Sequence, residues 1–385
     1  MSSRISYLDG LRGVLAVIVF LHHFFYIYYP ELIFGGDYAS FSSSGPFGSL
    51  KVFALTPISI LYNPGFAIHF FFLLSGYVQT QGYYQNGNAL GIQRSLLKRY
   101  FRLALPTLPV VVLVFCAHKF HFIHKELIAD NVLNNGWLKS MLPNTLTFSQ
   151  LFKEGLVSCF QHNSRYYQVL WTMPTELANS YLVLLLALAF NKLKHQTKLT
   201  VALLLIQFFV LEEYYSIAFV TGMLISRLQA QEIRFKSFFF KVWVKALCVA
   251  LGLYFGSYPF TGYQGAVANS IYAPISFFET YPHIISYFIG STFLFLFLLH
   301  APSIQKLLSG KVFLFYGRIS FMLYLLHFLL LLSVVPSIYN STHNITATLA
   351  FAMVLVTTLS WLFTKFVDEP VVRFCNWWAG KFVAG

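Results

Sequence analysis

Long apolar runs recur along this sequence, and they limit what it can fold into. They lie at about residues 13–30, 65–82, 103–120, 170–190, 199–211, 214–226, 240–256, 284–300, 319–335 and 345–366. A helix that crosses a bilayer needs about 20 predominantly apolar residues. The pattern predicts an all-α polytopic membrane protein with about ten transmembrane helices, because a helix satisfies its own backbone in lipid. The runs are continuous rather than alternating, which argues against a transmembrane barrel. The fifth and sixth runs are short, are separated only by Glu212 and Glu213, and can also be read as one re-entrant hairpin. Composition agrees with a membrane protein: 57% of residues are hydrophobic and only 10% charged, against about 25% charged in soluble domains. Two or three soluble domains, which 385 residues would allow, are thereby excluded. One transmembrane domain over residues 1–385 is expected, with no appended soluble domain.

The net charge of +13 has two readings. A basic chain can bind nucleic acid or another polyanion. Membrane topology explains it better, because Lys and Arg collect in cytosolic loops. With the N-terminus in the cytosol, the outer side receives only Lys51, Lys119, Lys125, Lys139, Lys153 and Arg165, and the remaining 20 of the 26 basic residues are cytosolic. An even number of spans returns the C-terminus to the cytosol as well. Two glycosylation sequons, at Asn340 and Asn344, fall in an outer loop on this map. Arg4 and Arg12 ahead of an apolar run resemble a signal peptide, but no small-residue cleavage site follows, so the first span is read as a retained helix. Cys116, Cys159, Cys248 and Cys375 show no paired spacing and suggest neither a disulfide framework nor a metal knuckle. His118, His121 and His124 have a spacing that zinc can use, yet no Cys or Glu motif accompanies them, and no metal is expected.

Ionisable groups inside a bilayer are costly, so each is a candidate for function. Arg12 and His23 lie eleven residues apart on one face of the first span, about 16 Å apart along the axis. They cannot touch each other, but they can touch two parts of one long ligand. Either can also be structural: Arg12 as a positive-inside anchor, His22 or His23 as a hydrogen-bonding partner of a neighbouring helix. Ser75 and His327 fall about 13–15 Å deep, near the level of His23, with Glu176 slightly further out. A buried carboxylate beside a buried imidazole suits general-base catalysis, and equally a proton-coupled transporter. Arg94, Lys98, Arg99 and Arg102, at the start of the third span, can hold phosphates, or can anchor the helix against anionic lipid.

Taken together, these motifs resemble the acyltransferase-3 family of integral membrane acyltransferases. The resemblance is carried by Leu8-Asp9-Gly10-Leu11-Arg12-Gly13, by Arg12 followed after ten residues by His23, and by Phe71-Phe72-Leu73-Leu74-Ser75-Gly76-Tyr77. It continues with Arg99-x2-Arg102, Leu170-Trp171-Thr172-Met173-x2-Glu176, Ser320-Phe321-x-Leu323-Tyr324-x2-His327 and Asp368-Glu369-Pro370. The run from Arg99 to Pro106 is most similar to fungal members. The resemblance implies an acyl-CoA donor, usually acetyl-CoA, bound from the cytosol, and transfer to a hydroxyl-bearing acceptor in or across the membrane. Arg12, Arg99, Arg102 and Arg94 would then hold the coenzyme A phosphates. His23 would be the base, although His22 stands directly before it. Glu176 would orient the imidazole or bind the acceptor, and Ser75 and His327 would line the cavity. The partners expected are the lipid bilayer, acyl-CoA and the acceptor, with no nucleic acid. The secretory pathway and the plasma membrane are both compatible locations. The competing reading is a proton-coupled secondary transporter of a small molecule, although no inverted repeat is visible.

Overall fold

The computed structural model describes residues 5–34, 50–87, 89–124, 147–161, 166–190, 193–211, 213–231, 233–259, 267, 269–275 and 282–383. Arg4, Lys125, Lys139, Arg165, Lys192 and Glu212 lie outside the described residues. Among those described there is no strand, and each of the ten apolar stretches is a helix. These are α1 (Ser6–Tyr28), α2 (Pro64–Asn86), α3 (Ala89–Lys119), α4 (Thr172–Phe190), α5 (Gln196–Ile206), α6 (Tyr214–Gln231), α7 (Val242–Gly256), α8 (Pro282–Leu299), α9 (Lys311–Ser333) and α10 (Ile345–Phe363). A wider π turn over Thr364–Asp368 joins α10 to a last amphipathic helix, α11 (Glu369–Phe382).

Among the described residues, five stretches are long and apolar enough to cross a membrane: Ser6–Tyr28, Ala89–Lys119, Gln168–Phe190, Lys311–Ser333 and Ile345–Phe382. A sixth is added if α8 and the short helix Pro302–Leu308, bent by 98°, form one span. α2 has the length, with 23 residues, but carries Ser75, Gln79, Thr80 and Gln81 in its inner half. α5 with its π turn to Leu211, and α7, are shorter. The architecture is that of an all-α polytopic membrane protein.

Local chemistry sets several of the boundaries. Asn63 caps α2 by accepting from the Phe66 amide at 3.2 Å, and Pro64 occupies the first turn, where its missing N–H costs nothing. Gly87, at φ +65°, ends the same helix in the left-handed conformation. α3 begins at Ala89, well before the apolar run at 103–120. Its basic run is therefore helical, and Arg99 lies ten residues inside the helix rather than at its mouth. Apolarity marks only where a helix meets lipid; Leu, Lys and Arg are good helix formers and continue it. Asn344 caps α10 through its side-chain oxygen, with the Ala347 amide at 3.0 Å.

Two of the bundle's close helix contacts position the site. α1 and α9 run parallel and touch where Gly13 meets Gly317. A Cβ added at Gly13 would lie 2.5 Å from the Gly317 nitrogen, and one at Gly317 would collide with the Asp9 carbonyl. Small residues let backbones approach in this way inside a membrane, where apolar side chains gain little from leaving lipid. The pairing keeps one register along its length. Ser6 Oγ lies 3.0 Å from Ser309 Oγ near one end, and Tyr28 donates to the Leu331 carbonyl at 2.7 Å near the other. α2 and α6 are joined likewise: a Cβ on Gly76 would strike the Phe219 carbonyl, and one on Gly222 the Leu73 carbonyl. α1 contributes to both hydrophobic clusters of the molecule, so it ties the α9–α10 side to the α2–α6–α8 side.

Replacing Gly317 with Leu is expected to lower stability by about 1–3 kcal/mol or more, because the contact has no room for a side chain. Thermal unfolding in detergent checks this. Gly380→Ala, where nothing lies within 4 Å, serves as the neutral control.

Candidate active site

The α1–α9 register brings two histidines together. Gly13 opposes Gly317, and ten residues further along each helix His23 opposes His327. His327 Nε2 lies 2.9 Å from His23 Nδ1, and the ring centroids are 4.9 Å apart. The tautomers follow from the carbonyls around them. His327 Nδ1 lies 3.0 Å from the Leu323 oxygen and 2.8 Å from the Tyr324 oxygen, and a carbonyl only accepts. Nδ1 of His327 therefore carries the hydrogen and Nε2 accepts. The hydrogen between the rings must come from His23 Nδ1, which also faces the Val19 carbonyl at 3.1 Å. The lone pair of neutral His23 is then on Nε2. His327 is fully buried and His23 is 8% exposed. His22 turns elsewhere: it borders a void of about 20 Å³ with Ser59, Tyr62 and Asn63. The structure thus couples His23, not His22, to the histidine of α9.

Tyr167, absent from the sequence reading, holds the same part of α9. Its hydroxyl donates to the Leu325 carbonyl at 3.0 Å and accepts from the Leu329 amide at 3.0 Å. Those groups are the acceptor and donor of one helical turn, and His327 sits between them. Tyr324 donates to the Val169 carbonyl at 2.7 Å and meets the Thr172 hydroxyl at 2.9 Å. The segment leading into α4 is thus fastened to α9 at each side of the histidine. Tyr324 belongs to the motif around His327, whereas Tyr167 sits in an aromatic-rich chain with no signal that marks its bonds.

A cavity of about 750 Å³ opens between α1, α2, α3, α4 and α9, within the range of small-molecule sites. Arg12, Ser75, Arg99, Arg102 and Glu176 all line it, whereas Arg94, His23 and His327 do not. Its wall carries a hydrogen-bonded bridge. Arg99 pairs with Glu176, whose Oε1 also accepts from Ser75 Oγ at 3.0 Å. Ser180 accepts from Arg99 Nε at 2.9 Å and from Gln79 at 3.0 Å, and donates to the Glu176 carbonyl at 2.5 Å. Three helices are tied in this way at one level. Ser180 and Gln79 are members that the sequence reading missed; Ser180 stands one turn after Glu176, the only signal available.

The four groups expected in one layer therefore separate into two pairs, Ser75 with Glu176 and His23 with His327. Glu176 bonds to Arg99 and Ser75 rather than to an imidazole, so it does not orient His23 here. A carboxylate taken out of water is stabilised most by a cation with matching donors, and the inward extension of α3 supplies one.

The arginines expected to hold phosphates also differ from one another. Arg102 makes a bidentate pair with Asp368, at 2.6 and 3.1 Å, and its guanidinium lies over the Phe321 ring. Arg318 pairs with Glu369 at 2.6 Å. The acidic residues of Asp368-Glu369-Pro370 thus pin the end of α10 to α3 and α9. Arg94 is exposed and faces away from the cavity. Arg12 lies within electrostatic reach of Asp9, Arg99, Arg102 and Glu176, and among the described residues no carboxylate forms an ion pair with it. It is the cavity arginine whose donors remain available to an anion.

Comparison with known proteins agrees with this picture. The acyltransferase-3 family model, described as an acyltransferase domain, matches residues 5–365. The chain is similar to the O-acetyltransferase PaAT-1 of Phomopsis amygdali, 27% identical over 372 residues, spanning 84% of this chain and 71% of that protein. It is also similar to the acyltransferase clz18 of Cochliobolus lunatus, 22% identical over 447 residues, spanning 95% and 94%. No solved structure matches the chain.

The bridge yields an expected stability pattern. Glu176→Gln leaves the Arg99 charge without its partner and is expected to cost about 3–5 kcal/mol, whereas Arg99→Met with Glu176→Leu together cost far less than the sum of the single changes. Chemical unfolding of Glu176→Gln, of the two single changes and of their combination measures the difference.

Proposed function

The chain belongs to the acyltransferase-3 family and is a membrane acyltransferase, and from that premise we propose that it moves an acetyl group from acetyl-CoA to a hydroxyl of its acceptor. The observation that carries this reading is the cavity that begins at Arg12 and ends against Tyr324, whose ring centroid is 6.0 Å from that of His327. It has one end that carries arginine and one end beside a histidine pair. The O-acetyltransferase name of one relative supports the acetyl group and the oxygen acceptor. Arg12 holds phosphate at the mouth. Arg99 and Arg102, each engaged by a carboxylate, add positive field rather than direct contacts. The pantetheine arm runs inward past the Arg99–Glu176 bridge toward Thr172 and Tyr324.

In the reaction proposed, the Tyr324 ring, which separates the cavity from the histidine pair, swings aside, and His23 Nε2 takes the proton of the acceptor hydroxyl as its oxygen attacks the thioester carbonyl carbon. The tetrahedral intermediate collapses, the C–S bond breaks, and the imidazolium returns its proton to the departing thiolate. His327 stabilises the transient charge, because the His23 Nδ1–H bond to its Nε2 strengthens when His23 is cationic. The site lies within the bilayer of the secretory pathway or plasma membrane, which lets a donor from one face meet an acceptor from the membrane or its other side.

Titration of acetyl-CoA into detergent-purified protein tests the reading. Arg12→Ala is expected to weaken binding about 10–100-fold, the value of a charge-assisted hydrogen bond or two. His23→Ala is expected to retain binding and lose acetyl transfer. Absence of binding to folded protein at millimolar acetyl-CoA would overturn the proposal.

A further inference from the structure

The cavity is divided in character, and the division carries information about the acceptor. Its midpoint is the bridge of Ser75, Glu176 and Arg99. α2 and α4 run in the same direction through the bundle from this bridge's far side: Ile68, Phe71 and Phe72 precede Ser75 on α2, and Thr172 and Met173 precede Glu176 on α4. The Ser75–Glu176 hydrogen bond sets these two stretches side by side. On the near side the lining includes Asp9, Arg12, Gln81, Asn86 and Ser95. On the far side it includes Ile68, Phe71, Phe72, Thr172, Met173 and Tyr324, while Ser320, one turn before Tyr324, gives its hydrogen to the Gly317 carbonyl at 2.9 Å. Glu176 and Arg99 belong to the bridge itself, and Arg102 is bonded back to Asp368. Among the described residues the far half has no unpaired charge: Arg102, which follows Arg99 on α3 toward that side, is held by Asp368.

We propose that the far half is the acceptor subsite and that the acceptor is an uncharged, largely apolar alcohol. This rests on the acyltransferase reading above. A charged acceptor would lose its hydration against Phe71, Phe72 and Met173 with no unpaired counter-ion to replace it. A polyhydroxylated acceptor such as a sugar would leave most of its hydroxyls unpaired there. An apolar alcohol has one group to satisfy, and the far half offers one polar point. Tyr324 gives its hydrogen to the Val169 carbonyl, so Thr172 donates to the Tyr324 oxygen. The Thr172 oxygen keeps lone pairs that can receive an alcohol hydrogen. Tyr324 is also the side chain between this half and His327, so an alcohol held at Thr172 is on the histidine side of the cavity. The stretch from Ile68 to Ser75 is about 10 Å long, enough for a compact hydrocarbon skeleton. The rival occupant is a long acyl chain on the donor, which the same apolar surface would accept.

The test uses the full chain in nanodiscs with radiolabelled acetyl-CoA. The acceptors are farnesol and a sterol, against methyl glucoside and lactate. Transfer to the apolar alcohols is expected, with little to the other two. Met173→Glu is expected to reduce that transfer about a hundredfold while acetyl-CoA still binds with unchanged affinity. Faster transfer to methyl glucoside or lactate overturns the proposal, and so does transfer to none of the four while acetyl-CoA binds; the acyltransferase reading survives both. Preference for octanoyl-CoA over acetyl-CoA, abolished by Met173→Glu, assigns the far half to the acyl chain and also overturns it. Failure of acetyl-CoA to bind removes the acyltransferase reading itself. The acceptor panel on the unaltered chain decides the question even where Met173→Glu fails to fold.

Discussion

The contact of Gly13 with Gly317 is the constraint on which the rest of the site depends. It fixes two parallel helices at backbone distance, and a fixed register then propagates along both. His23 and His327 each stand ten residues beyond their glycine, so the contact sets the spacing of the imidazoles. A side chain at either glycine would push the helices apart, and the 2.9 Å hydrogen bond between the rings could not survive that displacement. Inside lipid this close approach is favoured by van der Waals packing and by the few polar bonds it permits. Here those bonds are at the ends, Ser6 with Ser309 and Tyr28 with Leu331, and in the middle the two histidines.

Charge is organised around that scaffold by pairing. Arg99 with Glu176, Arg102 with Asp368 and Arg318 with Glu369 join helices remote in sequence. Each pair removes a cation from competition for an anionic ligand and leaves Arg12 as the group best placed to meet one. The pairs also give the cavity its polarity. Because the Arg99–Glu176 bridge stands midway, a polar half and an apolar half follow from its position, and the histidine pair adjoins the apolar half.

A good deal of this was legible in the sequence. The ten apolar stretches are all helices, because continuous apolar runs leave lipid-embedded backbone no other choice. The spacing of Arg12 and His23 on one helix face follows from helix geometry alone. The family was legible from short motifs in order. The bridge was legible in its acid, Glu176, and its hydroxyl, Ser75, but not in its cation. The apolar run places Arg99 at the start of the third span, because apolarity marks where α3 enters lipid and not where the helix begins. Tyr167 and Ser180 left no mark, since a single hydroxyl bond to a backbone turn has no periodicity to read.

The sequence by itself determined that the chain is a bundle of membrane helices, which residues are polar within them, and how deep along its own helix each one sits. Those are consequences of composition and of a fixed rise per residue, and they need only one helix at a time. The tertiary structure decided which polar groups meet. It separated the expected layer into a histidine pair and a carboxylate bridge, committed Arg102 to Asp368, and chose His23 over His22 as the partner of His327. Those outcomes depend on the rotation and register of one helix against another. That is set by where two glycines let backbones touch, and no residue count along a single helix contains it.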